Sequence, residues 1–358
     1  MVILTAVRSG DFAAALGLVT ISNPANHADA LKRLGDLLQQ SLYFPEAVLC
    51  YDAALAEPSR PAEALFNRGV ALRAMGDFEQ ASASFRDAID VGFHLQDCWK
   101  MLGKIFFLQG RFDESIAAYD SALDLGESAL LRYGRRKSEL ARDNKLDDPA
   151  EIFGAIYAHR AWGGSPTKKF YSGRGSHAPD TVRTYVEAVN AFLGSFDRKL
   201  DAVDIGCGDF NIGSQIYRQC ASYSAFDVVP ALVEHNAQTF RDDGLNFGVL
   251  DVTRDPPPSC DVVFIREVFQ HLSNAQIQRA LDNIKGRYRY LVFTEVEPKG
   301  AFIPNKDKPS GENIRLNLNG SGVVLTAPPF NLTFGSERVL CTVDVDNALI
   351  STTVYTSA

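Results

Sequence analysis

The sequence predicts two domains, an all-α array of helical repeats followed by an α/β domain whose parallel sheet is closed by a C-terminal antiparallel hairpin. Three observations predict it. Small and aromatic residues recur every 34 positions from Gly35 onward, short apolar runs alternate with helical stretches beyond residue 146, and residues 337–356 hold two β-rich runs in succession.

At 358 residues the chain exceeds what one ordinary core accommodates, which by itself favours two domains. A net charge of −8 with no block of Lys or Arg offers no large footprint for nucleic acid or an anionic membrane, so neither is expected as a partner. Cys50, Cys98, Cys207, Cys220, Cys260 and Cys341 are scattered, with no CxxC and no Cys/His cluster at ligand spacing. No metal is expected, and reduced thiols fit the cytoplasm. The N-terminal MVILTAVRSGDFAAALGLVTIS reads as helix, not as a signal peptide, because Arg8 and Asp11 interrupt its apolar run and no basic region precedes it. No run reaches the roughly 20 apolar residues of a membrane span.

The first domain, residues 1–145, is read from aligned columns. Gly35, Gly69 and Gly103 stand 34 residues apart, as do Phe44, Phe78 and Phe112, then Ala47, Ala81 and Ser115, then Tyr51, Phe85 and Tyr119, then Ala54, Ala88 and Ala122. In a helical hairpin the small residue sits where two helices touch, and the aromatic is expected to fill the gap to the next copy. GDFEQA (76–81), GRFDES (110–115) and GDFAAA (10–15) read as the turn that opens each second helix. Over residues 28–125 this pattern resembles the tetratricopeptide (TPR) family, with residues 1–24 as a partial leading repeat and ALLRYGRRKSELARD (129–143) as the helix that caps the stack. The resemblance implies a concave surface for a peptide or protein; a spacer or a dimerisation surface is the alternative.

DNKLDDPAE (143–151) is charged, carries a Pro and breaks the period, placing the boundary near Leu146 and the second domain at residues 146–358. LDAVDIG (200–206) reads as a buried strand followed by a helix from Ile212, YSAFDVV (223–229) as a strand, and ALVEHNAQTFRDD (231–243) as a helix. NFGVLDV (246–252) and CDVVFIREV (260–268) are the next strands, then comes a helix over 273–287 and a fifth strand in YRYLVFTEV (288–296). Such alternation means a doubly wound, Rossmann-like sheet covered on both faces. ERVLCTVDV (337–345) and ALISTTVYT (348–356), separated by Asp346-Asn347, read as a hairpin, where a dinucleotide-binding dehydrogenase would add parallel strands.

DIGCGDFNIG (204–213) is a glycine turn that can hold a dinucleotide pyrophosphate, hold the methionyl end of S-adenosylmethionine (SAM), or merely turn tightly. Asn211 stands where the third glycine of GxGxxG belongs, which removes the dinucleotide, and no Lys-Ser/Thr follows, which removes a P-loop. The neighbouring acids fit SAM. Asp204 precedes Gly206 and Gly208 and can organise the turn near the cationic amino-acid end of the cofactor. Asp227 ends the second strand, where an acid takes two ribose hydroxyls, and Asp251, with Val252 beside it, ends the third, where a carboxylate accepts from the adenine amino group. Each alone also reads as a surface or capping Asp; together they converge on one crevice by topology.

These residues extend to a more specific resemblance. From Ile152 to Phe330 the chain resembles a group of bacterial class I SAM-dependent methyltransferases, on WGG (162–164), YSGRGS (171–176), CGDFN (207–211), FDVVP (226–230), DVTRDP (251–256), REVFQHLS (266–273) and PPFNL (328–332). The resemblance implies methyl transfer to a glycan or small-molecule acceptor. Ile212 replaces the group's usual Trp, and Glu295 and Glu297 follow the fifth strand, so the acceptor stays open.

Methyl transfer from a sulfonium is an in-line displacement governed by alignment, and a hydroxyl acceptor also needs a base. Glu267 and His271 share one face if their segment is helical. His271 is the expected base, with Glu267 orienting it or binding an acceptor hydroxyl; His271 reads alternatively as a residue packed under the next helix. Arg266 is expected to pair with a carboxylate of the cofactor or of Asp209. YSGRGS reads as a lid, with Arg174 meeting the SAM carboxylate and Tyr171 near the acceptor, or as a flexible linker. Residues 301–320 read as an acceptor-binding insertion contacting through Asn305, Arg315 and Asn317, or as an unstructured loop. Asp209, Phe210 and Asn211 are expected to point toward the acceptor. Three functions follow: an O-methyltransferase for a sugar or other polar small molecule with repeats that dock a partner, a protein methyltransferase whose repeats recruit the polypeptide, or a SAM-binding scaffold.

Overall fold

The computed structural model describes residues 2–18, 26–165, 168–346 and 348–358, and the chain divides into two compact units, Met1–Asp143 and Asn144–Ala358. Among the described residues no helix is long and apolar enough to cross a membrane.

The first unit is helical: α1 (Val2–Arg8), α2 (Phe12–Gly17), α3 (His27–Gln40), α4 (Phe44–Ala56), α5 (Ala62–Met75), α6 (Phe78–Asp90), α7 (Leu95–Leu108), α8 (Phe112–Asp124) and α9 (Ala129–Arg142). Residues 19–24, part of the expected leading repeat, lie outside the described residues. A Cβ on Gly35 would stand 2.7 Å from the Tyr51 ring, one on Gly69 2.8 Å from Phe85, and one on Gly103 2.9 Å from Tyr119. The period is therefore one contact repeated, a glycine on the first helix of a hairpin against an aromatic on the second. The ring packs on its own hairpin, and Tyr51 and Phe85 also share a buried cluster with residues of the next copy, α5 and α7 respectively. Tyr119 likewise meets the following helix, since a Cβ on Gly134 of α9 would come within 2.5 Å of it. Gly76 ends α5 in the left-handed region at φ 84, and Asp77 then caps α6 by accepting from the Gln80 N–H.

The second unit contains α10 (Pro149–Ala158), α11 (Pro179–Leu193), β1 (Asp201–Ile205), β2 (Ser222–Asp227), α12 (Pro230–Thr239), β3 (Leu245–Val249), β4 (Val262–Arg266), α13 (Asn274–Ile284), β5 (Tyr290–Pro298), α14 (Arg315–Asn319), β6 (Ser336–Val345) and β7 (Ala348–Thr356). The sheet order is β3-β2-β1-β4-β5-β7-β6, parallel through β5 and antiparallel in its last two pairings. Asn347, half of the expected hairpin signal, lies outside the described residues. Ala202 to Ile205 and Val262 to Ile265 are buried without alternation, as central strands covered on both faces require. The order reverses between β1 and β4, so a crevice opens at their carboxyl ends.

One expected helix is absent. After β1 the chain makes two 3-10 turns, Gly213–Gln215 and Tyr217–Gln219, instead of a helix from Ile212. Phe210 is the reason. Its backbone is left-handed at φ 59, its ring is fully buried against Tyr223, Phe240 and Phe247, and a Cβ on Gly213 would lie 2.2 Å from that ring. The turn is drawn into the core, so Phe210 does not point toward an acceptor. Asp251 also lies past its strand, because β3 ends at Val249.

Candidate active site

β1 leads into Gly206-Cys207-Gly208, where side chains have no room. Both glycines are left-handed, at φ 74 and 57, and added Cβ atoms would lie 2.5 Å from Val268 and 2.4 Å from Ser172 Oγ. The turn is drawn onto β2: the Gly206 and Cys207 N–H groups donate to Phe226 O at 2.8 and 2.9 Å. The Gly208 N–H donates to Asp227 Oδ2 at 3.1 Å, and Asn236 Nδ2 donates to Gly208 O at 2.7 Å. Asp227 accepts from the Val229 N–H with its other oxygen at 3.0 Å. Burial pushes this carboxyl up to about 6 against the pull of those donors. Asp204 sits behind the turn, accepting from Tyr223 OH at 2.9 Å, and burial pushes it up to about 7.

The turn opens into a pocket lined also by Asp227, Asp251, Val252, Arg266, Glu267 and His271. Topology thus gathers most of the cofactor-binding residues expected there together with Glu267 and His271, with Asp204 beneath the surface. Asp251 Oδ1 accepts from Thr253 N–H and Oγ1 at 3.0 and 2.7 Å. Its Oδ2 is buried without a hydrogen bond, with Arg254 Nε at 3.3 Å.

One wall was not foreseen. Pro149, Phe153 and Tyr157 of α10, with Trp162 beyond it, line the pocket, although residues 143–151 read as a linker. Their spacing of four was the available signal, since it puts all three on one helical face.

At the end of β4, Glu267 is left-handed at φ 55 and Phe269–His271 is a 3-10 turn, so Glu267 and His271 do not share a helical face. His271 Nδ1 lies 3.1 Å from Gly311 O. A carbonyl only accepts, so Nδ1 carries the hydrogen and Nε2 keeps a lone pair. The ring lies 4.9 Å from that of Trp162, and burial, reinforced by nearby Lys308, pulls the imidazole down to about 4.

The YSGRGS stretch is tied down as a strap. Asp209 Oδ2 meets His177 Nε2 at 2.6 Å, the Asp209 N–H donates to Ser172 Oγ at 2.7 Å, and Asn211 Nδ2 donates to Ser176 O at 2.7 Å. Tyr171 stacks on His177 at 4.5 Å, and Arg266 donates to Gly175 O at 3.0 Å. Asp209, Asn211 and Tyr171, expected at the acceptor, hold this strap instead, while Ser172 and Ser176 line the pocket. Arg266 pairs with Glu267 at 2.8 Å, and Asp209 pairs with His177. Arg174 is exposed and off the pocket lining.

The segment 301–320 is fastened down as well. Asn305 donates to Val324 O at 2.8 Å and Pro328 O at 2.9 Å, and accepts from the Val324 N–H at 2.9 Å. Arg315 is buried under the β4 turn, and Asn317 is exposed. None of the three lines the pocket.

The chain matches the methyltransferase domain family over residues 203–289 and the tetratricopeptide repeat family over residues 32–90 and 71–129. Among solved structures it is similar to the N-methyltransferase NodS from Bradyrhizobium japonicum WM9 in complex with S-adenosyl-L-homocysteine (SAH), at 16% identity over 52% of this chain and 91% of that one, TM-score 0.39. It is similar to magnesium protoporphyrin IX methyltransferase (ChlM) from Synechocystis PCC 6803 with bound SAH, at 13% identity over 60% and 100%, TM-score 0.40. The Sgt2 TPR domain from Aspergillus fumigatus is similar at 25% identity over 34% and 82%, TM-score 0.31. No curated protein sequence matches the chain. The chain therefore carries tetratricopeptide repeats over residues 32–129 and a methyltransferase domain over residues 203–289.

Proposed function

We propose that the second unit is a SAM-dependent O-methyltransferase for a sugar, glycan or other polar small molecule, and that the repeats dock a protein or peptide partner. The observation that carries this reading is one pocket lined by the Gly206–Gly208 turn, Asp227 and Asp251 together with Glu267 and His271. The residues present fit the cofactor. Asp227 accepts from the Gly208 and Val229 N–H groups and keeps lone-pair capacity for paired hydroxyls, and the buried Asp251 Oδ2 suits an amino group. Arg266, whose Nε is buried without a hydrogen bond, sits beside the turn where a carboxylate would be held. Six free cysteines fit a reducing cytoplasm.

When bound, the cofactor supplies an electrophilic methyl group on a sulfonium. The chain's own residues supply alignment. Gly206 and Gly208 allow the backbone a close approach, and the strap and α10 wall the pocket with Ser172, Ser176, Phe153 and Tyr157. Glu267 binds an acceptor hydroxyl, and His271 presents Nε2 to its proton. Burial keeps that imidazole neutral at physiological pH; the same burial lowers its driving force as a base, so orientation carries more of the task.

The fused repeats favour a second reading, a protein methyltransferase whose first unit recruits the polypeptide. Methyl-labelled SAM added to a lysate, then resolved into protein, glycan and small-molecule fractions, separates the two. Label in the glycan or small-molecule fraction is expected; label in protein alone would replace the first reading with the second.

A further inference from the structure

Glu295 of β5 and Arg315 of α14 are each 1% exposed. Burying such groups is costly unless they are well bonded, yet these two do not bond each other. Arg315 Nη1 donates to Phe269 O at 2.8 Å, and Glu295 Oε1 accepts from the Gln270 N–H at 3.2 Å. That carbonyl and that N–H belong to the same peptide group. It is held from both ends, by a buried guanidinium on its oxygen and a buried carboxyl on its nitrogen. Such bonds in series polarise one another, and the peptide plane cannot rotate without breaking both. Arg315 Nη2 also donates to Asn274 Oδ1 at 2.7 Å, fixing the guanidinium to the start of α13.

An ordinary turn does not need this arrangement. The α13 helix is already capped by Ser273, which accepts from the Gln276 N–H at 3.3 Å. What the clamped peptide carries is Gln270 and His271, both on the pocket lining. The rest of the 301–320 segment braces the same turn. The Gly311 N–H donates to His271 O at 3.0 Å, Lys308 Nζ donates to His271 O at 3.1 Å, and Trp162 Nε1 donates to Glu312 O at 3.2 Å.

Resting on the reading of this pocket as a methyl-transfer site, we infer that Arg315 and Glu295 are positioning residues that lock the Phe269–Gln270 peptide plane and so aim Gln270 and His271 into the pocket. The 301–320 segment then serves as a strut that delivers Arg315, where an acceptor-binding loop was expected.

Lys308, Glu312 and Arg315 all bear on the charge state of His271, so replacing Arg315 would shift its titration by charge alone. Glu295 is the cleaner target. In full-length protein, Glu295→Leu removes the acceptor for the Gln270 N–H, while Glu295→Gln keeps an oxygen there. Amide exchange at Gln270, the NMR titration of His271 and calorimetric SAH affinity are read together. Loss of one buried hydrogen bond is expected to speed Gln270 exchange by about tenfold in Glu295→Leu. The His271 midpoint should rise from about 4 toward 6.5 as the turn relaxes and admits water, with Glu295→Gln restoring both values. SAH affinity should change less than about threefold, because Asp227 ends β2 and Asp251 follows β3, both away from the turn after β4. If Glu295→Leu folds and leaves exchange and titration as in the wild type, the inference is overturned. A collapse of SAH affinity matching those changes overturns it too, by making the pair a support of the whole sheet. Wild-type protein that fails to bind SAH, with exchange and titration responding as expected, removes the cofactor reading and leaves the clamp standing.

Discussion

In the repeat unit one contact recurs, a glycine against the ring of an aromatic on the partner helix, at Gly35, Gly69 and Gly103. In the second unit the pocket is assembled from α10, the strap and the ends of β1, β2 and β4. Substitution in the stack therefore costs what its own contact costs. In the pocket each group also holds its neighbours, as Ser172 does for Asp209 and Asp227 for Gly208, so single changes propagate.

The largest expected break of that contrast is Gly208→Ala. Its Cβ would lie 2.4 Å from Ser172 Oγ, on a backbone already left-handed. SAH affinity should fall by about 100-fold, roughly 3 kcal/mol, and calorimetry that finds it unchanged would show a pocket tolerant of local change. Next comes Gly134→Ala, which presses on Tyr119 from the opposite side to Gly103. Urea unfolding of the repeat unit should register a loss of about 1–3 kcal/mol from overpacking. A neutral result would show that the ring can yield.

The most gradual effect is a pH slope. Burial and neighbouring Glu267 push Glu295 from 4.5 up to about 8, so the folded protein keeps a proton that the unfolded chain releases. The stability this contributes is full below 4.5 and is lost as pH rises through 8, at a rate of about 1.4 kcal/mol per pH unit in between. Asp204 and Asp227, raised to about 7 and 6, act in the same direction. His271 acts oppositely, since its lowered value gives stability present above 6.5 and lost as pH falls through 4. Glu295→Gln should flatten the decline between pH 6 and 8 in thermal melts; an unchanged slope would mean that Glu295 ionises normally.

How far each region was legible follows from the same contrast. The repeats declare themselves because one steric requirement recurs at fixed spacing. The sheet was legible through its apolar runs, and the pocket acids through strand order, since consecutive strand ends must meet. What escaped depended on single side chains. Phe210 is apolar in a run that reads as a helix start, and only its burial against Phe240 and Phe247 shows why none forms. Asp209 and Asn211 looked like acceptor contacts because nothing in their spacing reveals that His177 and Ser176 lie opposite. Arg315 read as an acceptor contact in a polar stretch, and its buried position follows from a tertiary fit that composition does not carry.

Methyl transfer as proposed requires the pocket at the ends of β1 and β2 to hold SAM through Asp227. Isothermal titration of SAH into wild type and Asp227→Ala tests it most directly. Saturable one-to-one binding is expected in the wild type, with a loss of about 100-fold or more, near 3 kcal/mol, in the variant. No binding to the wild type, or equal binding to both, would contradict it.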